Sequence, residues 1–175
     1  MLPILQLIVD TVASVLGGVL LLRFWMQAIR VRPPASVAQF TFTLSDWLVK
    51  PLRRIVPGAG GYDWASLIAA FLVVLLATSI LFLIGAPAEQ VLLIALARFV
   101  KWMIYGFIAL LIIEAIFSWV NPHAPLAPFV HALNDPLLRP IRKVVPPIGG
   151  LDLSVLVAVL LLQIALYLLR TVVPV

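Results

Sequence analysis

Trp64–Ile84 reads WASLIAAFLVVLLATSILFLI, an uncharged apolar run of 21 residues. A helix needs about 20 such residues to cross the hydrocarbon core of a bilayer. A soluble protein could hide this run only beneath abundant polar surface. Here 64% of the chain is hydrophobic and 11% charged, against roughly half and a quarter in soluble domains. Three more stretches resemble it. Leu2–Leu22 has only Gln6 and Asp10 as strongly polar side chains. Trp102–Val120 carries one charge, Glu114, and its apolar character extends back to Val91 across Arg98 and Lys101. Leu153–Leu169 carries none. The expected fold is an all-α integral membrane protein with four transmembrane helices. No positively charged segment precedes the first span, since the first basic residue is Arg23, so that span is expected to be mature structure and not a cleaved signal. The chain has no cysteine, which excludes disulfides, thiolate metal sites and a cysteine nucleophile.

Shifted by 89 residues, the sequence falls on itself. Residues 35–70 and 124–159 share 15 identities in 36 ungapped positions. Asp46, Pro51, Arg53, Pro57, Gly60, Gly61 and Asp63 meet Asp135, Pro140, Arg142, Pro146, Gly149, Gly150 and Asp152, and Lys50 meets Arg139. The reading is a tandem duplication. Residues 1–89 form a first unit with spans at about 2–29 and 64–84, and residues 90–175 a second with spans at about 91–120 and 153–169. Two spans per unit make the repeat parallel, not inverted as in many transporters.

Lysine and arginine set the expected topology. The first long loop holds Arg30, Arg32, Lys50, Arg53 and Arg54, and the second holds Arg139, Arg142 and Lys143, whereas the join Gly85–Gln90 holds none. Both long loops are therefore expected in the cytoplasm and both termini outside it. Within the loops, Val37, Phe40, Leu44, Leu48 and Leu52, and likewise Leu126, Phe129, Leu133, Leu137 and Ile141, follow a helical apolar spacing. This predicts amphipathic helices lying in the membrane interface. Ser45-Asp46 and Asn134-Asp135 are good helix-start residues, and Pro136 suits a first helical turn. Two short helices per loop are therefore expected, with Asp63 and Asp152 capping the second span of each unit. The basic residues Lys50, Arg53, Arg54, Arg139, Arg142 and Lys143 are expected to face anionic lipid headgroups, each contributing about 1 kcal/mol. Nucleic acid is not an expected partner, because few aromatics interleave the charges.

Asp10, Arg23, Arg98, Lys101 and Glu114 lie in or near the spans. Charges there are costly and usually face the bundle interior or a partner. The repeat register puts Asp10 at the depth of Arg98 and Lys101, and Arg23 close to the depth of Glu114. Two pairs are expected from this: Asp10 with Arg98 or Lys101, and Arg23 with Glu114. They would hold the units in register, or alternatively form an ion or proton path. His123 and His131 occur in the second loop only, without convincing carboxylate partners, so no metal, haem or other cofactor site is assigned. No catalytic triad, phosphate loop or dinucleotide fingerprint is present. The chain is expected not to be an enzyme.

Asn134–Ser154 reads NDPLLRPIRKVVPPIGGLDLS and resembles the hallmark stretch of the YggT family, also called YlmG. The resemblance covers the whole chain as two tandem units. The first is more diverged, with Trp47 and Gly58 where the second has Pro136 and Pro147. The resemblance implies a small protein of the bacterial inner membrane without established catalytic residues. It also implies links to osmotic-stress tolerance, ion uptake and cell division. A scaffold or assembly factor that engages other membrane proteins fits most of these. The alternative is a potassium- or proton-conducting or transport-associated protein. A homo-oligomer is left open, and Gly17, Gly18, Ala69 and Ala70 could support packing within or between chains.

Overall fold

The computed structural model describes residues 2–145 and 152–173. Its elements in order are α1 (Leu2–Ala28), α2 (Ala35–Ile55), α3 (Trp64–Thr78), a 3₁₀ segment (Ser79–Ile84), α4 (Ala88–Val120), α5 (Ala127–Arg142) and α6 (Leu153–Val172). Among the described residues, four helices are long and apolar enough to cross a membrane, at Ile4–Ala28, Trp64–Leu83, Ala88–Val120 and Leu153–Val172. At 1.5 Å per residue, the 33 residues of α4 extend about 50 Å, longer than the roughly 30 Å hydrocarbon core.

Small side chains bring the spans together. Ala65, Ala69 and Ala70 of α3 are almost fully buried, where they pack with Leu20 of α1 and Val49 of α2. Ala69 and Ala70 therefore serve packing within the chain. Gly17 does the same on α1, where a Cβ would collide with the ring of Trp102 on α4. Gly18 has open space around its missing Cβ. Trp25 and Met26, near the end of α1, pack on Phe129, Val130 and Leu133 of α5. The Trp25 indole also donates a 2.9 Å hydrogen bond to the Leu133 carbonyl. Leu111, Leu138 and Ala158 make a third cluster joining α4, α5 and α6. The span α6 is the least covered, with 11% of its apolar window buried.

The loop helices differ from expectation in two ways. Each loop holds one continuous helix, not two. Ser45 does not cap a helix start; its hydroxyl donates back to the Thr41 carbonyl at 2.6 Å, as a serine within a helix does. Asn134 spends its amide on the Leu110 carbonyl of α4 at 2.9 Å. Asp46 and Asp135 pair with basic side chains. With the capping groups engaged elsewhere, the helices run on through Pro51, Pro136 and Pro140, and packing of Val49, Leu133 and Leu138 offsets the lost backbone bonds. The second difference is rotational. The fully inward positions of α2 are Thr41, Ser45 and Val49, while Phe40 stays 58% exposed. Arg23 of α1 requires oxygen partners, and this rotation supplies Ser45 to it. In α5 the inward positions Phe129, Val130, Leu133, Asn134 and Leu138 include two from the predicted apolar stripe, because α1 covers them.

Candidate functional site

The charged residues gather at two levels of the bundle. Toward the start of α1 and the end of α6, Arg98 of α4 donates to Asp10 of α1 at 2.5 Å and to Thr78 of α3 at 3.4 Å. This ties three spans together. Lys101, one turn further along α4, lines a small recess with Arg170 and Leu166. Arg170 also donates to the Tyr105 hydroxyl at 3.3 Å.

At the loop end two charged clusters stand side by side. The first centres on Arg23, which is 4% exposed. Its Nη1 donates to Ser45 Oγ at 2.5 Å and Asp46 Oδ1 at 2.8 Å, its Nε lies 3.7 Å from Asp63 Oδ2, and its guanidinium covers the Phe42 ring at 4.8 Å. Asp46 also meets Lys50 Nζ at 2.8 Å. Hydrogen bonds from Lys50, then Arg23, hold the Asp46 carboxyl below its ordinary range. Arg53, in the last turn of α2, reaches Asp63 Oδ2 at 2.5 Å. Asp63 caps α3, accepting from the Ser66 hydroxyl at 2.6 Å and the Ser66 backbone N–H at 3.4 Å. Burial pushes the Asp63 carboxyl up, but Arg53 and Ser66 outweigh it and the net direction is down.

The second cluster uses many equivalent positions. Arg139 pairs with Asp135 at 2.7 Å, one helical turn apart. Arg142 donates through Nε and Nη2 to Asp152 Oδ2 at 2.9 and 2.7 Å. Asp152 caps α6 by accepting from Ser154 N at 3.0 Å and from the Ser154 hydroxyl. Burial raises the Asp152 carboxyl, while Ser154 and Arg142 together leave it lowered. Glu114, 8% exposed, accepts on Oε1 from Arg142 at 3.3 Å and lies 2.9 Å from His131 Nδ1.

The expected Arg23–Glu114 pair therefore does not form. Each residue is met by the loop helix that follows its own span in sequence, α2 for Arg23 and α5 for Glu114. Arg53 and Arg142 turn their guanidinium groups to Asp63 and Asp152. Lys50 and Arg139 keep side chains that are 71% exposed, and Arg54 and Lys143 are exposed as well. Gly60 and Gly61 adopt φ of +68° and +82° in the turn before Asp63, conformations that favour glycine. Their counterparts Gly149 and Gly150, with Pro146, lie outside the described residues.

Sequence reasoning missed Ser45, Ser66, Ser154 and His131 as members of these clusters. The two cap serines follow their aspartates by three and two residues, a signal available in the sequence. His131 had none, because Phe42 stands at the position 89 residues earlier. Among the described residues, no group of three or more His, Cys, Asp and Glu side chains is arranged to hold a metal ion.

The CCB3/YggT family model matches residues 1–84 and 93–173. An uncharacterized protein of Vibrio alginolyticus is 33% identical over 170 residues, which cover 94% of this chain and 92% of that one. The YggT protein of Escherichia coli strain K12, described as uncharacterized, is 33% identical over 161 residues, 91% of this chain and 86% of its own. A protein of Pseudomonas aeruginosa, also described as uncharacterized, is 36% identical over 164 residues, 90% and 83% of the two chains. No solved structure matches. With its four apolar spans and a family match along nearly its whole length, the chain belongs to the CCB3/YggT family.

Proposed function

We propose that the protein is a non-enzymatic scaffold or assembly factor of a bacterial inner membrane, engaging other membrane proteins within the bilayer. The observation that carries this reading is an apolar groove of about 980 Å³ between α1, α2, α3 and the start of α4. Val12, Leu16, Trp47, Leu72 and Leu76 form much of its wall. Val12 is 62% and Leu76 75% exposed, so the groove opens on the lipid-facing surface and can admit apolar groups of a neighbouring span. The buried side chains between the two charged levels also support a scaffold over conduction by one chain: Ala13, Leu20, Ala69, Ala70 and Val74 are apolar. The basic loop helices would face the cytoplasm, following the positive-inside rule. The osmotic-stress and cell-division links implied by the resemblance would then depend on the protein held.

A photoreactive residue at Leu76, with Leu160 of α6 as a lipid-facing comparison, tests the reading in native membranes. Discrete protein adducts from Leu76 and none from Leu160 are expected. Equal, diffuse labelling at both would remove the groove as a docking face. Potassium and proton flux through liposomes holding the folded protein provides the second arm. Selective flux above empty liposomes would favour the ion-transport reading instead.

A further inference from the structure

The two loop-end clusters differ by one cation, Arg23, and one anion, Glu114. The first sets Arg23, Lys50 and Arg53 against Asp46 and Asp63. The second sets Arg139 and Arg142 against Glu114, Asp135 and Asp152. Where the first unit has Arg23, the second has Ile112, and where it has Trp25 the second has Glu114. The first cluster therefore carries an excess of one positive charge, and the second an excess of one negative charge with His131 neutral.

A cavity of about 370 Å³ opens beside this excess. Glu114, Ser118, His131, Arg142 and Asp152 supply its polar wall. The second oxygen of Glu114, Oε2, is buried without a hydrogen-bond partner among the described residues. A buried carboxylate oxygen left unsatisfied is costly, so a donor with positive charge would be strongly favoured there. His131 adds an acceptor. Its Nδ1 lies 2.9 Å from Glu114 Oε1, and in the tautomer that donates there Nε2 keeps a lone pair. The volume is in the range of small-ligand pockets and far exceeds a bare monovalent ion. The walls come from the loop-side end of α4, from α5 and from the cap of α6, where the topology proposed above would put lipid headgroups.

We propose that this cavity binds an organic ammonium group with N–H donors, carried by an aminophospholipid headgroup or by a soluble amine. Glu114 and Asp152 supply the charge, and Ser118 and His131 supply acceptors. This site is independent of the apolar groove between α1 and α3.

The test uses the delipidated full chain in detergent and native mass spectrometry. The probes are phosphatidylethanolamine, phosphatidylcholine, phosphatidylglycerol and soluble ethanolamine phosphate. Phosphatidylcholine has the same charge but no N–H donor. The expected result is roughly tenfold tighter retention of phosphatidylethanolamine than of the other two lipids, the size of one charged hydrogen bond. That preference should vanish in Glu114→Gln, and also in Ser118→Trp, which fills the exposed rim without touching an ion pair. Glu89→Gln, at the opposite end of α4, should keep it. Variant-sensitive binding of ethanolamine phosphate without a lipid preference would assign the ammonium to a soluble source. If neither probe is bound in a way that Glu114→Gln and Ser118→Trp both abolish, the proposal is overturned. Should Glu114→Gln fail to fold, Ser118→Trp decides the question alone.

Discussion

Arg53 Nη2 lies 2.5 Å from Asp63 Oδ2, so the last turn of α2 is fastened to the residue that caps α3. The same pair recurs 89 residues later as Arg142 and Asp152. Each pair joins the end of an amphipathic helix to the cap of the following span and so restrains the angle between them.

Asp63 holds a helix cap and an ion pair at once. Asp63→Ala is expected to destabilise the protein by roughly 2 kcal/mol, about 1 from the cap and the rest from stranded donors. Arg53→Ala should cost less, because Ser66 and Arg23 still face the carboxylate. Thermal unfolding of both variants in detergent measures the order, and a larger loss for Arg53→Ala would count against it.

Arg23 and Glu114 belong to different clusters, so their effects should add. Arg23→Ala should cost about 1–2 kcal/mol, because its buried hydrogen bonds are lost while Asp46 and Asp63 keep Lys50 and Arg53. Combined with Glu114→Ala, the total should equal the sum within about 0.5 kcal/mol. Arg23→Ala with Asp46→Ala should instead cost clearly less than its sum. A double-mutant cycle on both pairs distinguishes the two patterns.

Gly17 is where α1 meets the Trp102 ring. Gly17→Ala drives a methyl into two carbons of that ring, an overpacking that typically costs about 1–3 kcal/mol. Gly18→Ala, with open space around it, should be neutral or slightly stabilising. Replacing Trp102 with a smaller residue should remove most of the Gly17→Ala penalty, and melting temperatures of the four variants check this.

Asp46, Asp63 and Asp152 are all held below the ordinary carboxylate value of 3.8. A group with a depressed folded value contributes stability that is present above its unfolded value and is lost as pH falls through the folded one. Melting temperature should therefore hold from neutral pH down to about 5 and fall below about 4. Asp63→Asn should flatten that acid limb. An unchanged limb would show that other carboxylates carry it.

Some of this was legible in the residues themselves. Long uncharged runs such as Trp64–Ile84 have no place but a bilayer, so length and hydropathy alone settled the four spans. The apolar spacing through Leu44, Leu48 and Leu52 marked α2 as amphipathic, and Asp63 and Asp152 before apolar runs marked two caps. Only the tertiary structure decided which charges meet and how the loop helices are turned. Equal depth made Arg23 and Glu114 natural partners, but depth says nothing about azimuth around the bundle. The approach of α2 gave Arg23 the hydroxyl of Ser45 and the carboxylate of Asp46, and the approach of α5 gave Glu114 the His131 ring. Local propensity likewise stopped a helix at Ser45 and Asn134, whereas long-range partners consumed their capping groups and let it continue. Hydropathy is a sum over neighbours in sequence, while ion pairing depends on side-chain directions that only packing sets.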